Sequence, residues 1–392
     1  MIELLKGVKI LDLSRLLPGP LCSLFLADMG ADVLKIEDTG SGDYTRWDLP
    51  KIKENSAFFL MLNRNKKSMR LNLKEQDGYD ILCELVKDAD VVIEQFRPGV
   101  AEKLKVDYKT LSKINPGLVY CSITGYGQDG PYRDKAGHDL NYIGFSGLLG
   151  QTGWRKGRPI IPGTQVADQA GGSLMAVMGI LAALIGKNRT GKGEYVDVSM
   201  MDGTMSLMVI ALGSYFGYNN VLERGESLLT GSSPCYDVYE TKDGKFMALG
   251  AFEAKFWKAF CVVVDRPDLI EKQFPKEGEL DEVRKEVEGI FKQKTRDEWV
   301  DCMADVDVCC TPVLELDETV ENEQVKARNM IFEMDHPFEG RIKQIGFPLK
   351  FENSEFEVKL PAPMLGEHND EILSGLGLTA EKIEELRQKK VI

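Results

Sequence analysis

The chain has 392 residues, 43% of them apolar and 28% charged, which is the composition of a soluble globular protein long enough for two domains. A formal net charge of −13 and a pI near 5.0 exclude a general nucleic-acid binder, because phosphate neutralisation needs Lys and Arg clustered over a broad face. One small phosphorylated ligand stays compatible, since a local basic patch fits on an acidic protein.

Strand-like and helix-like segments alternate over the first 200 residues. Val8–Leu13 predicts a short apolar strand. The following helix has Pro18 and Pro20 near its start and Gly30 as its stop. Asp32–Glu37 predicts the next strand. "SMRLNL", "DGYDILCELVKDAD" and "DVVIEQF" repeat strand, helix, strand, and Leu118–Thr124 adds another strand. This βαβ rhythm implies an α/β fold: a large Rossmann-like domain whose mostly parallel sheet is covered by helices. Gln169–Gly186 is uncharged for 18 residues and contains four glycines. It has no partner span, so a buried helix is expected there rather than a membrane one.

"EYVDVSMMDGTMSLMVIALGSYF" reads as a strand and then a Met-rich helix, with the methionines as core filler. Tyr218–Ser233 reads as a linker. "CYDVYETKDGKFMALGA" reads as a hairpin turning at Asp243-Gly244. Helices follow, so the block from about Leu222 to Glu323 is expected to form a smaller α+β domain. The organisation expected is a large domain over 1–217, linker and small domain over 218–330, and a C-terminal segment, 331–392, returning to the large domain. The eight cysteines are scattered, with no C-x-x-C pair, and read as free thiols in a reducing compartment. The N-terminus has no apolar export signal, so a cytoplasmic location is expected.

Several motifs nearly fit. Gly125, Gly127 and Gly130 spell G-x-G-x-x-G after a strand, but Pro131 follows where a dinucleotide site needs a helix. Gly186, Gly191 and Lys192 frame a P-loop, yet Gly193 stands where the Mg²⁺-ligating hydroxyl belongs. There is no H-E-x-x-H and no G-x-S-x-G. Histidines at only 138, 336 and 368 make no metal site by local spacing, so no metal is expected.

What remains is the segment from Gly125 to Gly153, with eight glycines, the composition of a loop whose backbone closely approaches a ligand. His138 lies within it. Asp168 stands directly before "QAGGSLMAVMGI", an N-cap position where free N–H groups and the helix dipole favour an ionised carboxylate. On spacing alone, Asp168 reads first as a plain cap and His138 first as a structural histidine.

"GHDLNY", "VADQAGG" and "LGAFEAKFW" resemble the alpha-methylacyl-CoA racemase branch of the class III CoA-transferase family. So do "LKGVKILDLSRLLPGPLCSLFLADMGADVLKIE", "NRNKKSMRLNLK", "EQFRPGV", "GYGQDGP", "TGKGEYVDVSMMDG", "CTPVLELDE" and "PAPMLGEH", in the family's order and over nearly the whole chain. The resemblance implies a racemase, an isomerase that inverts the α-carbon of a 2-methylacyl-CoA through an enolate, with His138 and Asp168 as the two bases. It implies that Glu253 supports the histidine across an interlocked, ring-shaped homodimer. The acyl-CoA brings coenzyme A as part of the substrate, and no separate cofactor is implied. Two groups on opposite faces of one carbon suit that chemistry, one unprotonated while the other carries a proton. Backbone N–H groups at a helix start or in the glycine loop would stabilise the enolate oxygen.

Arg64, Lys66, Lys67 and Arg70 put four cations in seven residues, which composition alone reads as a solvated face. The resemblance instead assigns coenzyme A contacts to Arg46, Lys66 and Arg97, and a place along the pantetheine channel to Asp139 and Tyr142. The alternative is a CoA-transferase of the same fold, with Asp168 as the nucleophile that forms an anhydride and then a thioester. Formyl-type transferases have a non-basic residue in place of the histidine and a run of glycines where this chain reads "TGSSPCY".

Overall fold

A computed structural model describes residues 2–221, 223–276 and 278–392. The chain divides into two compact units. The first comprises Met1–Ser146, Gly163–Leu207 and Gln324–Ile392; the second comprises Gly147–Pro162 and Met208–Glu323.

The first unit is built on six parallel strands: β1 (Lys9–Asp12), β2 (Asp32–Glu37), β3 (Lys66–Arg70), β4 (Val91–Glu94), β5 (Val119–Thr124) and β6 (Tyr195–Ser199). Their spatial order is β3-β2-β1-β4-β5-β6. Every residue of β4 and β5 is buried, so these strands read as continuous apolar runs without alternation, as central parallel strands do. One face packs on the amphipathic helix Gln76–Lys87, which turns Ile81, Leu82 and Val86 inward onto Leu11, Leu34, Met69 and Val92. Ile383 and Leu386 of the C-terminal helix Ala380–Gln388 join that core. Each such side chain contributes about 1.5–3 kcal/mol on burial.

The opposite face carries the helix Pro18–Asp28, with Pro18 at its first turn, and a long helix that is π-wound over Ala167–Leu174 and α-wound over Met175–Thr190. The long helix is the one segment among the described residues that is long and apolar enough to cross a membrane. Its α-wound part packs against β5 and β6 and buries Ala176, Ile180, Ala183 and Leu184. It is not the fully buried helix its composition implies, because Leu174, Met178 and Ile185 face outward.

The second unit holds an antiparallel sheet of β7 (Tyr236–Glu240), β8 (Phe246–Gly250) and β9 (Cys310–Pro312), in the order β7-β8-β9. The β7–β8 turn passes through Gly244, whose φ of +78° suits a residue without Cβ. Helices cover the sheet around Trp257, Phe260, Phe291 and Trp299, with the Tyr239 and Phe291 rings stacked at 5.0 Å. This is an α+β unit. Of the segment expected to be a linker, Leu222 lies outside the described residues. The Met-rich stretch departs from its reading as core. Met200 and Met208 are buried, but Met205 is exposed and the helix Val209–Tyr218 buries no residue.

After the second unit, β10 (Ile331–His336) and β11 (Gly340–Ile345) form a hairpin belonging to the first unit. Glu339 there accepts from the N–H groups of Lys53 and Asn55, at 2.7 and 3.0 Å.

Candidate active site

The strand order reverses between β1 and β4, so a crevice opens beyond their carboxyl ends, where open α/β sheets bind ligands. A cavity of 490 Å³ lies there. Its walls are Leu13–Arg15 after β1, Asp38–Gly40 after β2, Leu71–Lys74 after β3 and Phe96 after β4. The β1 loop is tied from below at alternate residues. Ser14 N–H donates to Asp12 Oδ1 at 2.9 Å, Leu16 N–H donates to Asp43 Oδ1 at 3.2 Å, and Lys35 Nζ donates to Ser14 O at 2.8 Å. Arg15, between the two anchored residues, is left exposed on the crevice, and Lys74 is exposed on the β3 side.

Two expected coenzyme A ligands do not face this space. Arg46 is 1% exposed; its Nε and Nη2 hold Glu37 at 2.9 and 2.7 Å, and its guanidinium lies 3.7 Å from the Phe59 ring centroid. Lys66 is fully buried and donates to Pro20 O at 2.8 Å and Asn63 Oδ1 at 3.0 Å, with burial pushing its pKa down to about 7. Strand alternation separates the 64–70 cations. Arg64 pairs with Asp28 inside the protein, whereas Lys67 pairs with Glu371 outside. They form neither a solvated face nor a phosphate cradle. Arg46 and Lys66 brace the loops, and Arg15 and Lys74 are the exposed cations lining the crevice. Arg46→Ala is therefore expected to lower stability by about 3–5 kcal/mol, the cost of orphaning a buried ionic partner, seen as an earlier thermal melt. Arg15→Ala leaves the melt unchanged and raises KM for a CoA ester.

Beyond β5, the glycine segment wraps the Tyr142 ring. A Cβ on Gly125 would lie 2.3 Å from Tyr142 Cε1, and one on Gly137 would lie 2.7 Å from it. The Tyr142 hydroxyl donates to Gly137 O at 2.5 Å. His138 is the N-cap of the helix Asp139–Phe145; its N–H donates to Asn141 Oδ1 at 3.0 Å and its ring is left exposed. Asp139 Oδ1 accepts from the N–H groups of Ala167 and Asp168, at 2.7 and 3.0 Å. The residue after His138 is thus strapped to the backbone that carries Asp168.

Asp168 is not the N-cap. The helix begins at Ala167, and Asp139 takes the cap's place at its free N–H groups. Nor is the carboxylate held ionised. Burial, and secondly the Asp139 carboxylate, push its pKa up to about 7. A helix dipole is worth only about 0.3–1 kcal/mol at most surface sites and is here already spent on Asp139. The N–H groups of Ala167 and Asp168 are thereby occupied. Gly171 permits the close crossing of the next helix, since a Cβ there would lie 2.4 Å from Met200 O. A π-wound turn at this point is a frequent mark of functional sites.

Tyr142 ties the group together. Burial and then the Asp168 charge push its phenol up to about 12, while Arg97 acts against them. Asp168, Tyr142, Asp139 and the exposed Arg97 therefore act on one another electrostatically, with His138 one residue away. Glu253 is exposed at the N-cap of the helix Ala254–Val263 in the second unit. A separate cavity of 580 Å³ lies beside the Asp168 turn. Leu16, Leu21, Phe25 and Met61 line it, and Gln165 and Gln169 stand at its edge. Among the described residues no cluster of three His, Cys, Asp or Glu could hold a metal ion.

The sequence profile of CoA-transferase family III matches residues 5–369. This chain belongs to CoA-transferase family III. The family III chain is 35% identical to human alpha-methylacyl-CoA racemase, over 99% of its own length and 97% of the relative's. It is 34% identical to human succinyl-CoA:glutarate CoA-transferase, over 95% and 85%. A CAIB/BAIF family protein from Brucella suis superposes with a TM-score of 0.83 at 29% identity, covering 95% of this chain and 99% of that one. Arg15 and Lys74 are exposed cations on the crevice of this family III member that motif reading passed over. Their only signal was their place just past the carboxyl ends of β1 and β3.

Proposed function

We propose that this protein is an acyl-CoA racemase that inverts the α-carbon of a 2-methylacyl-CoA by two-base proton transfer. The observation that carries this reading is the Asp139 strap, which ties the His138 turn to a carboxyl whose pKa lies near neutrality. A carboxyl of that kind can hold or release a proton at working pH, and the exposed imidazole is the second acid–base group of the pair. One removes the α-proton, the electron pair moves into the thioester carbonyl to give an enolate, and the other returns a proton to the opposite face. The glycine loop supplies N–H groups to the enolate oxygen. Arg15, Lys74 and Arg97 receive the polyanionic coenzyme A, Tyr142 borders its pantetheine arm, and Asp139 fixes the geometry.

The apolar cavity beside Gln165 and Gln169 favours a hydrocarbon acyl group over a dicarboxylate. The assembly is an interlocked homodimer in which Glu253 of the partner subunit supports the His138 imidazole. The outward apolar side chains of the long helix and of Val209–Tyr218 are the surface that such a partner covers. The free cysteines suit the cytoplasm.

The transferase reading uses the same Asp168 as a nucleophile but gives the imidazole nothing to do. One assay separates them. The protein is incubated with one enantiomer of a 2-methylacyl-CoA together with succinate, glutarate or oxalate, and the CoA esters are followed by chiral chromatography. The racemase reading expects optical purity to fall while the acyl-CoA is retained. Formation of a new CoA ester with unchanged optical purity establishes the transferase.

Asp139 also sets a pH dependence. Burial first and the Asp139 carboxylate second raise the Asp168 pKa to about 7, so the rate of the reaction in which Asp168 is the base is expected to rise with pH through about 7 as that carboxyl ionises. Asp139→Asn removes the neighbouring charge and lowers the Asp168 pKa. The rising limb of kcat/KM is expected to move to lower pH, with rate gained on the acid side.

A further inference from the structure

The second unit carries a lysine–cysteine pair that takes no part in the reading above. Lys294 Nζ lies 2.8 Å from Cys302 Sγ. That is the length of an ordinary N–H···O bond, although sulfur is the larger atom. The ammonium also lies over the Trp299 ring, 4.9 Å from its centroid. Both ends of the contact are fixed. The carbonyl of Lys294 accepts from Lys242 N–H at 2.9 Å, and the next residue, Thr295, caps the helix Arg296–Met303. Cys302 lies in the last turn of that helix, three residues beyond Trp299 and therefore on the same face. The Trp299 indole N–H is anchored on Phe291 O at 2.9 Å. Cys302 is half-buried against the aromatic core, so it meets small oxidants more readily than large ones.

We infer that Lys294 and Cys302 form a peroxide-sensitive covalent pair that closes as an N–O–S bridge. One peroxide oxidises the thiol to a sulfenic acid; its O–O bond breaks and one water leaves. A second oxidises the Lys294 amine, after the ammonium gives a proton to solvent, to a hydroxylamine with loss of another water. The hydroxylamine oxygen then bonds to sulfur as the sulfenic hydroxyl departs as a third water. The two side chains together lose two hydrogens and gain one oxygen, and both peroxides are reduced to water. Four equivalents of a small thiol reverse the bridge: the cysteine thiol and lysine amine are restored, the oxygen leaves as water, and the four thiols become two disulfides. Pre-alignment of the two groups favours this outcome over reaction with a distant partner, since held groups react at far higher effective concentration. The bridge would staple the start of the helix Arg296–Met303 to its last turn.

The full-length protein is treated with hydrogen peroxide, alkylated, digested with trypsin and analysed by mass spectrometry. The expected product joins the peptide 293–296 to the peptide 297–326 through Cys302, heavier by one oxygen and lighter by two hydrogens, and it disappears on thiol reduction. It is expected at least about a hundredfold above any other Lys–Cys link, in keeping with the gain from proximity. Lys294→Arg keeps the cation but removes the amine, and Cys302→Ser removes the sulfur; each abolishes the product. The inference is overturned if wild-type Cys302 appears as sulfinic or sulfonic acid, or in a disulfide with Cys309 or Cys310, while Lys294 stays free. It is overturned equally if Lys294→Arg leaves the product in place. The wild-type arm decides the matter even where a variant fails to fold.

Discussion

His138→Ala is expected to lower exchange of the substrate α-proton by about 10²–10⁴-fold, the usual contribution of one positioned acid or base. The loss is expected on kcat, because the proposed coenzyme A contacts are Arg15, Lys74 and Arg97 rather than the imidazole. Thermal stability is expected to stay unchanged. The ring is exposed, and the substitution keeps both backbone groups of residue 138: the N–H that donates to Asn141 Oδ1 and the carbonyl that accepts from the Asn141 and Tyr142 N–H groups. A transferase working through Asp168 alone tolerates the same change, so this variant separates the two chemistries where Asp168 does not. Stopped assays with a CoA ester, beside a thermal melt, check both halves of the expectation.

Asp168→Asn is expected to cost at least as much, about 10³-fold or more, since an amide neither takes up nor releases a proton at neutral pH. The side chain keeps its size, and the backbone N–H of residue 168 keeps its bond to Asp139, so the fold is spared. In the wild type a rising limb near pH 7 is expected from this carboxyl, whose pKa is raised by burial and then by Asp139. That limb disappears from the residual activity of the variant. If it persists, another group titrates there and the assignment of the base is wrong.

The parts of this molecule that follow local rules were legible before any coordinates. The strands Val8–Leu13 and Leu118–Thr124 contain the observed Lys9–Asp12 and Val119–Thr124, and the Asp243-Gly244 turn closes the β7–β8 hairpin. Strand periodicity and turn chemistry are written in neighbouring residues, so they need no tertiary context. The direction of a long cation is different. Arg46 and Lys66 carry the charge a phosphate would seek, but buried partners claim them: Glu37 holds Arg46, and Asn63 together with the distant Pro20 O holds Lys66. Arg15 carried no motif signal. It becomes a ligand candidate only once the strand order puts its loop at the switch point.

Asp168 shows the same limit from the other side. Its place before a glycine-rich helix resembles an N-cap, and the prior for a cap carboxylate is an ionised one. What overturned that reading is Asp139, almost thirty residues earlier, which occupies the N–H groups and adds a like charge. The Met-rich stretch failed for a related reason. Apolar composition predicts burial somewhere, but not whether the covering surface belongs to the same chain. The helix Val209–Tyr218 leaves its side chains outside, which fits the proposal that a second copy covers them.

The most direct test is proton NMR of one enantiomer of a 2-methylacyl-CoA incubated with the enzyme in D₂O. Two-base racemisation predicts that the α-proton signal disappears as solvent deuterium enters and that optical purity decays in step with it. An α-proton signal that stays intact while the protein binds the ester, or turns it over by CoA transfer, would contradict an imidazole and a carboxyl working on that carbon.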